Sequence, residues 1–265
     1  MQKTYKVLDH GYVKYLDHMG DDGTIAMDAR TSYDRRTPGE DRALLRRLMR
    51  DWHTSPFEMG VLKVEMKMPI FVARQIVRHR TASMNEVSAR YTQLPNEMFV
   101  PKALHTQSKN NKQGRARRVL GRSWIADIQS TQDNAYSYYE DMLSCDVSRE
   151  QARAVLPLAT YTKFIWKMDL HNLLHFLQLR LDPHAQYECR VYAEALMEMV
   201  QELFPICAEA FTDYRLHSYT LSVYEVEALT NLLANRGTID ELKGDYVPTC
   251  MTESEWKTFC ARFDL

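Results

Sequence analysis

The chain has 265 residues and a formal net charge of -1 at pH 7, with 45% hydrophobic and 26% charged residues. These values are ordinary for a soluble globular protein with a sizeable core. A sequence pI near 6.8 argues against a dedicated nucleic-acid-binding protein, which normally carries a strongly basic domain.

Cysteines and apolar runs narrow the class of protein further. The five cysteines are an odd number and lack CxxC spacing, which argues against a disulfide framework or a zinc ribbon. No segment approaches the roughly 18 apolar residues of a membrane span, and "MQKTYKVLDHGYVKYLDHMG" lacks the apolar run of a signal peptide. We therefore expect a cytoplasmic protein with no membrane partner and no cysteine-based metal site.

The first hundred residues alternate between strand and helix patterns. "VLDHGYVKYLDHMG" predicts a pair of strands and "GDDG" a turn. Apolar residues at helical spacing then predict a helix that begins near Pro38 and ends near His53. "VLKVEMKMP" alternates as a half-buried strand does, and Pro69 suits the first turn of the next helix.

The rest of the chain begins with a polar stretch and then becomes regular again. Seven Lys or Arg and no acid lie between Glu97 and Asp127, which predicts a long, mobile loop. We expect helices in "STQDNAYSYYEDML" and "SREQARAVL", a strand in "TYTKFIWKM", and helices capped by Asp169 and by Asp182. Thr252 and Glu255 form a further capping-box pattern, and no linker divides the chain into separate domains.

The stretch "RQIVRHRTASMNEVSARY" concentrates positive charge in an otherwise balanced chain. It contains four arginines and one histidine, with Glu86 as its only acid. Arginine grips phosphate or carboxylate in a bidentate way, so the cluster favours a phosphate-bearing ligand. Ser83 and Glu86 are also spaced as a capping box, so a capped helix with a solvated basic face is the alternative interpretation.

Two other functions are compatible with parts of the sequence. His171 and His175 are four residues apart, as are His184 and Glu188, and two such pairs on adjacent helices would suit a metal site. The basic run "KNNKQGRARR" would suit weak, salt-sensitive nucleic-acid binding, although no aromatic residue is interleaved for base stacking.

The arginine-rich stretch carries a specific signature. Residues 78–90 resemble the RHRxxSxNExSxR motif of the flavin-dependent thymidylate synthases, with every specified position filled. The segments "HTSPFE", "PIFVARQ", "REQARAVLPL" and "LRLDPHAQYE" are similar to other characteristic segments of that family and occur in the same order. Residues 1–215 are thus identified as a catalytic domain of this family. Residues 216–265 form a C-terminal extension of unknown role, expected to pack on the same domain.

The resemblance implies a fold, a reaction and partners. Family members are homotetramers of an α+β fold, an antiparallel sheet flanked by helices, with active sites shared between subunits. They methylate dUMP to dTMP in de novo dTMP biosynthesis. Methylenetetrahydrofolate supplies the carbon and NADPH the reducing equivalents through FAD, which carries the redox chemistry. The implied partners are dUMP, folate, NADPH and further copies of the chain, with no nucleic acid.

The resemblance also implies roles for individual residues. Arg180 would favour ionisation of the uracil ring, and His53 would lie where folate and flavin meet. The residues implied to bind dUMP are Gln75, Ile76, Val77, Arg78, Glu86, Val87, Ser88, Ala89, Arg90, Arg153 and Arg180. Those implied to bind FAD are Ser55, Arg78, His79, Arg80, Thr81, Glu86, Asp169, His171, His175 and His184.

Asp169, His175, Ser88 and the cysteines can each be compared with the family pattern. Asp169 and His175 stand where many members have asparagine, and an ionised Asp169 accepts hydrogen bonds without donating them. Ser88 has no histidine spaced locally to activate it, so we assign it to nucleotide binding. No cysteine falls in a matching segment, as expected for a family without a cysteine nucleophile.

Overall fold

The computed structural model describes residues 3–33, 41–109, 114–121, 123–234, 257 and 260–261. The chain forms two compact units, residues 1–216 and residues 217–265. The described part of the second unit includes one helix, Val223–Ala234, whose N-terminus is closed by a reciprocal pair of hydrogen bonds between Ser222 and Glu225. The capping box expected at Thr252 and the start expected at Pro38 lie outside the described residues.

The first unit contains seven described strands and eight described α-helices. The strands are β1 Thr4–Val7, β2 Gly11–Met19, β3 Val61–Pro69, β4 Ser83–Glu86, β5 His105–Gln107, β6 Arg115–Val119 and β7 Tyr161–Asp169. The helices are α1 Asp22–Arg30, α2 Asp41–Arg50, α3 Ile70–Ile76, α4 Ser123–Ser144, α5 Arg149–Ala152, α6 Leu170–Arg180, α7 Tyr187–Leu203 and α8 Pro205–Phe211. The helix of the second unit is α9.

An antiparallel sheet in the order β1-β2-β3-β7-β4 organises the unit. β3 and β7 lie at its centre and pair along their full length, from Val61 opposite Asp169 to Pro69 opposite Tyr161. Their inward side chains form one core with α6, α7 and α8. The α+β class and the antiparallel sheet flanked by helices are therefore confirmed.

Alternation explains why the central strands were predictable. In β3 every second side chain, from Leu62 to Met68, is buried, whereas Lys63 is exposed. Successive side chains of a strand point to opposite faces of the sheet, so this pattern fixes which face packs on the helices. α6 then begins as predicted, because the Asp169 carboxylate accepts from the backbone N–H of Asn172 at 2.9 Å.

One predicted turn, one predicted helix start and the alternative capping box were wrong. "GDDG" begins α1 instead of forming a turn, because the Asp21 carboxylate accepts from the N–H of Thr24 at 2.7 Å. Asp182 caps no helix, since it accepts from the backbone N–H of His184 while α7 begins only at Tyr187. Ser83 and Glu86 do not cap a helix either, because they lie in β4, paired with β7.

The basic stretch between Glu97 and Asp127 contains more structure than a mobile loop. β5 and β6 form a two-stranded hairpin in which His105 lies opposite Val119, and α4 begins at Ser123. The prediction was wrong because β6 reads RARRV, a polar sequence without the apolar alternation that marks a strand. Residues 110–113 of the basic run lie outside the described part.

Candidate active site

The arginine-rich stretch connects the end of α3 to the free edge of the sheet. α3 ends at Ile76, and the backbone N–H of His79 donates back to the Ile76 carbonyl at 3.0 Å. The chain then enters β4, pairs with β7 as far as Glu86, and leaves through a hydrogen bond from Val87 N–H to the Lys163 carbonyl. The side chain of Ile76 is fully buried, so only its backbone is available to a nucleotide.

A cavity of about 390 Å³ lies beside this edge. It is lined by Ile70, Glu86, Val87, Ser88, Ala89, Leu94, Arg153, Leu156 and Thr162. Five of these residues, the four from Glu86 to Ala89 together with Arg153, were predicted to bind dUMP. The cavity therefore brings together two of the matching segments, although more than sixty residues separate them in sequence.

Polar contacts at this cavity fix its acidic and basic groups. The Thr162 hydroxyl donates to the Glu86 carboxylate. Arg90 lies next to the cavity-lining residues, and its guanidinium pairs with Glu150 at 2.7 Å, both side chains being more than half exposed. The Ser88 hydroxyl accepts from the backbone N–H of Arg90 at 3.3 Å, a contact that orients the loop and does not activate a nucleophile.

A second cluster joins α3 to the end of α6. Nε of Arg180 donates to Nε2 of His79 at 3.2 Å, and its terminal nitrogen donates to the Gln75 carbonyl at 3.3 Å. Burial, together with the nearby charges of Arg180 and His175, lowers the pKa of His79 to about 4. His79 is therefore neutral at pH 7 and able to accept from Arg180.

A third cluster gathers histidines from α6 and from the loop after α2. His53, His171 and His175 line one small cavity of about 50 Å³, together with Trp52, Arg215 and apolar neighbours. His53 was predicted at the folate and the other two at the flavin, so the structure brings these three residues together. Asp169 does not line this cavity, and Asn172 donates to both of its carboxylate oxygens.

The remaining residues predicted to bind FAD are exposed. Ser55, Arg78, Arg80 and Thr81 are exposed. His184 is exposed as well, with Nδ1 2.9 Å from the Asp182 carboxylate. It lines a cleft of about 770 Å³ between the β5–β6 hairpin and the start of α7.

The two helical His and Glu pairs expected for a metal site are not both present in the described part of the chain. No group of three or more His, Cys, Asp or Glu side chains is arranged to hold a metal ion there. His184 precedes α7, so it does not share a helix with Glu188 as the spacing suggested. Glu188 instead pairs with Arg115 at 3.1 Å and accepts from the Gln186 amide at 3.0 Å.

Sequence reasoning missed several residues of these clusters. Thr162 and Glu150 are partners of predicted residues, and Glu150 belongs to the same quoted segment as Arg153, which was a usable signal. Gln186 accepts from the side chain of Gln75 and so extends the second cluster toward the hairpin. Arg215 gave no signal, because it lies outside every matching segment.

The fold and these clusters define an α+β protein with an arginine-bearing cavity at the open edge of its antiparallel sheet. A model of the family described as thymidylate synthase complementing protein matches residues 14–206. The chain is 42% identical to the flavin-dependent thymidylate synthase of Ruegeria pomeroyi, over 98% of this chain and 87% of that protein. It is 50% identical to that of Thermus thermophilus, over 87% of this chain and 86% of that protein.

A solved structure agrees with these sequence comparisons. The UMP/dUMP methylase PolB from Streptomyces cacaoi, bound with 5-Br dUMP, superposes with a TM-score of 0.71 at 31% identity, over 81% of this chain and 100% of that chain. The chain belongs to the flavin-dependent thymidylate synthase family. Among its described residues, no helix has the length and apolar composition to cross a membrane.

Proposed function

We propose that this protein methylates dUMP to dTMP, with FAD as its flavin, methylenetetrahydrofolate as carbon donor and NADPH as reductant. The observation that carries the proposal is the convergence of Glu86–Ala89 with Arg153 on one cavity. The named relatives and the methylase bound to a dUMP analogue support the same reaction.

The nucleotide is proposed to bind in the cavity of about 390 Å³. Arg153 lines it, and Arg90 exchanges its exposed partner Glu150 for the phosphate. Gln75, Val77 and Arg78 would close the other side, at the end of α3. Arg180 would lie beside the uracil ring and stabilise the negative charge that develops there. Because His79 is neutral, it accepts a hydrogen bond from the guanidinium and holds it in place without adding a second positive charge beside it.

The residues present fit a flavin of mixed polarity. Exposed donors at Arg78, Arg80 and Thr81 suit its phosphates, and Ser55 adds a hydroxyl. His171 and His175 face one small cavity with His53, where folate is proposed to meet the flavin. Asp169 would act by capping α6, which carries both histidines. When bound, FAD supplies the redox chemistry, and these residues position it.

The assembly and location are also proposals. Exposed apolar side chains such as Trp124, Tyr138 and Leu158 support burial against further copies of the chain, in a homotetramer with shared active sites. We place the enzyme in the cytoplasm, where its proposed substrates are made and used. Residues 216–265 are proposed to be a C-terminal extension, with no role assigned to them.

The basic hairpin is proposed to gather anionic co-substrates. Arg115, Arg117 and Arg190 line the cleft of about 770 Å³, and Glu188 is the only acid among its lining residues. Arg117→Ala is expected to raise the KM of folate or NADPH by about threefold to tenfold without changing kcat. An unchanged KM for both would contradict this role. No nucleic-acid partner is proposed, and the described strands of the hairpin contain no Phe, Trp or Tyr for base stacking.

The visible absorption spectrum of the purified protein tests the main proposal. Oxidised-flavin bands that bleach with NADPH under anaerobic conditions and respond to dUMP are expected, followed by dTMP formation when methylenetetrahydrofolate is added. A protein that stays colourless after incubation with FAD would overturn the proposal.

A further inference from the structure

Trp52, the residue directly before His53, has an unusual backbone conformation. Its φ is 61°, in the left-handed region that bulky side chains rarely adopt. It follows the end of α2, and the backbone N–H of His53 donates to the Leu48 carbonyl at 3.0 Å. This is the hydrogen bond that closes a helix whose next residue is left-handed, a position usually occupied by glycine. The tryptophan is therefore strained, and neighbouring contacts must hold it.

Arg215 supplies the main contact described for this tryptophan. The guanidinium carbon of Arg215 lies 3.2 Å from the centre of the Trp52 ring, a cation–π stack. The same guanidinium donates to the Met49 carbonyl in the last turn of α2. The Gln178 amide of α6 donates to the Arg215 carbonyl at 3.3 Å. Arg215 thus joins the end of α2, the strained residue and α6.

A clamp on α2 fixes the segment that carries Arg215. Residues Thr212–Leu216 form a π-helical turn, a rare element that is frequent at functional sites. Arg46 of α2 pairs with Asp213 of this turn, and its guanidinium lies 4.9 Å over the Tyr214 ring. Arg46 also pairs with Glu209 of α8 at 2.6 Å. The turn is therefore held in one place relative to the loop that it supports.

We infer that Arg215 is a positioning residue for His53. By holding Trp52 in its strained conformation, it fixes the direction in which the next side chain leaves the backbone. His53 then lines the same small cavity as His171, His175, Trp52 and Arg215. The inference rests on the proposed function, which places folate and flavin at this cavity.

A double-mutant cycle in the full-length enzyme tests the inference. Arg215→Ala leaves the strained tryptophan without its stack, so kcat/KM for methylenetetrahydrofolate is expected to fall by about tenfold. The Kd for dUMP is expected to stay within about twofold of the wild-type value, since Arg215 does not line the nucleotide cavity. Trp52→Gly keeps the backbone conformation without strain, and Arg215→Ala in that background is expected to cost less than about threefold.

Hydrogen exchange of residues 46–57 gives a readout that does not depend on catalysis. Arg215→Ala is expected to speed exchange there by about tenfold and Arg215→Lys, which keeps the charge, by less. The matched control is Arg42→Ala, an exposed arginine of α2 that also pairs with Glu209 and is expected to change neither measurement. Equal losses in both cycle backgrounds, or unchanged exchange in Arg215→Ala, would overturn the inference. A wild-type enzyme that makes no dTMP, with exchange responding as expected, would instead overturn the proposed function.

Discussion

Arg180 at the end of α6 donates to the ring of His79 across 3.2 Å, although the two residues are 101 positions apart in sequence. The contact determines the protonation state of His79 and the orientation of the Arg180 guanidinium. A histidine that accepts from a guanidinium must be neutral at that nitrogen, and the lowered pKa of His79 agrees with this. The guanidinium in turn keeps one orientation, because its terminal nitrogen is held by the Gln75 carbonyl.

Replacement of Arg180 is expected to lower turnover without reducing flavin binding. Arg180→Ala removes the cation proposed beside the uracil ring, so we expect a fall of at least about a hundredfold in kcat. The flavin content, read from the visible spectrum, should stay near the wild-type value. Turnover near the wild-type rate would refute the assignment. Loss of flavin together with activity would show a cofactor-binding role instead.

Arg90 is expected to contribute to dUMP affinity. Arg90→Ala should weaken dUMP binding by roughly 1.5 to 3 kcal/mol, the usual contribution of a charge-assisted hydrogen bond. Isothermal titration calorimetry would measure the change. Arg149→Ala is the control, because Arg149 is an exposed arginine that adjoins Glu150, the partner of Arg90, and does not line the cavity. Equal affinities in the two variants would contradict the role of Arg90.

Acid should destabilise the fold through His79. Its pKa is about 4 in the folded state and about 6.5 when unfolded, so between these values the unfolded chain binds more protons. Stability from this group is therefore complete above about pH 6.5 and is lost as the pH falls toward 4. We expect a loss of roughly 1 to 2 kcal/mol, allowing for partial solvent exposure. Urea titrations of the wild type and His79→Gln should diverge in this range, and parallel curves would exclude the effect.

Gly11 should not tolerate a side chain. A Cβ there would lie 2.6 Å from the Val7 carbonyl oxygen and 2.9 Å from the Lys67 carbonyl oxygen, besides meeting the Tyr192 hydroxyl. Gly11→Ala is therefore expected to cost about 1 to 3 kcal/mol of unfolding free energy. Gly121→Ala is the control, since a Cβ at Gly121 meets nothing within 4 Å. Thermal denaturation of both variants compares them, and equal Tm values would contradict the expectation.

The sequence predicted elements whose pattern is local. β3, β7 and the Asp169 cap of α6 were all correct, because alternation and capping depend on neighbouring residues. The β5–β6 hairpin was missed, since pairing and not apolar patterning makes its polar strands. β4 was missed for the same reason, because its only described partner strand, β7, lies some eighty residues away.

The candidate site was likewise predictable from the sequence only where the signal was local. The matching segments pointed to Glu86, Ser88 and Arg153, and all three line one cavity. The motif gave no information on which side chains would pair across the fold. The stack of Arg215 on Trp52 depends on a π-helical turn and a left-handed backbone, and neither has a reliable sequence signal.

The pairing of β3 with β7 constrains how a nascent chain acquires this site. Val61 pairs with Asp169, so the central ladder joins segments about a hundred residues apart, a high contact order that slows folding. Among the described strands β4 pairs only with β7, and β4 leads directly into the residues that line the cavity proposed to bind the nucleotide. During synthesis, residues 86–89 therefore have no framework until β7 has left the ribosome. This cavity can therefore form only after β7 has been synthesised.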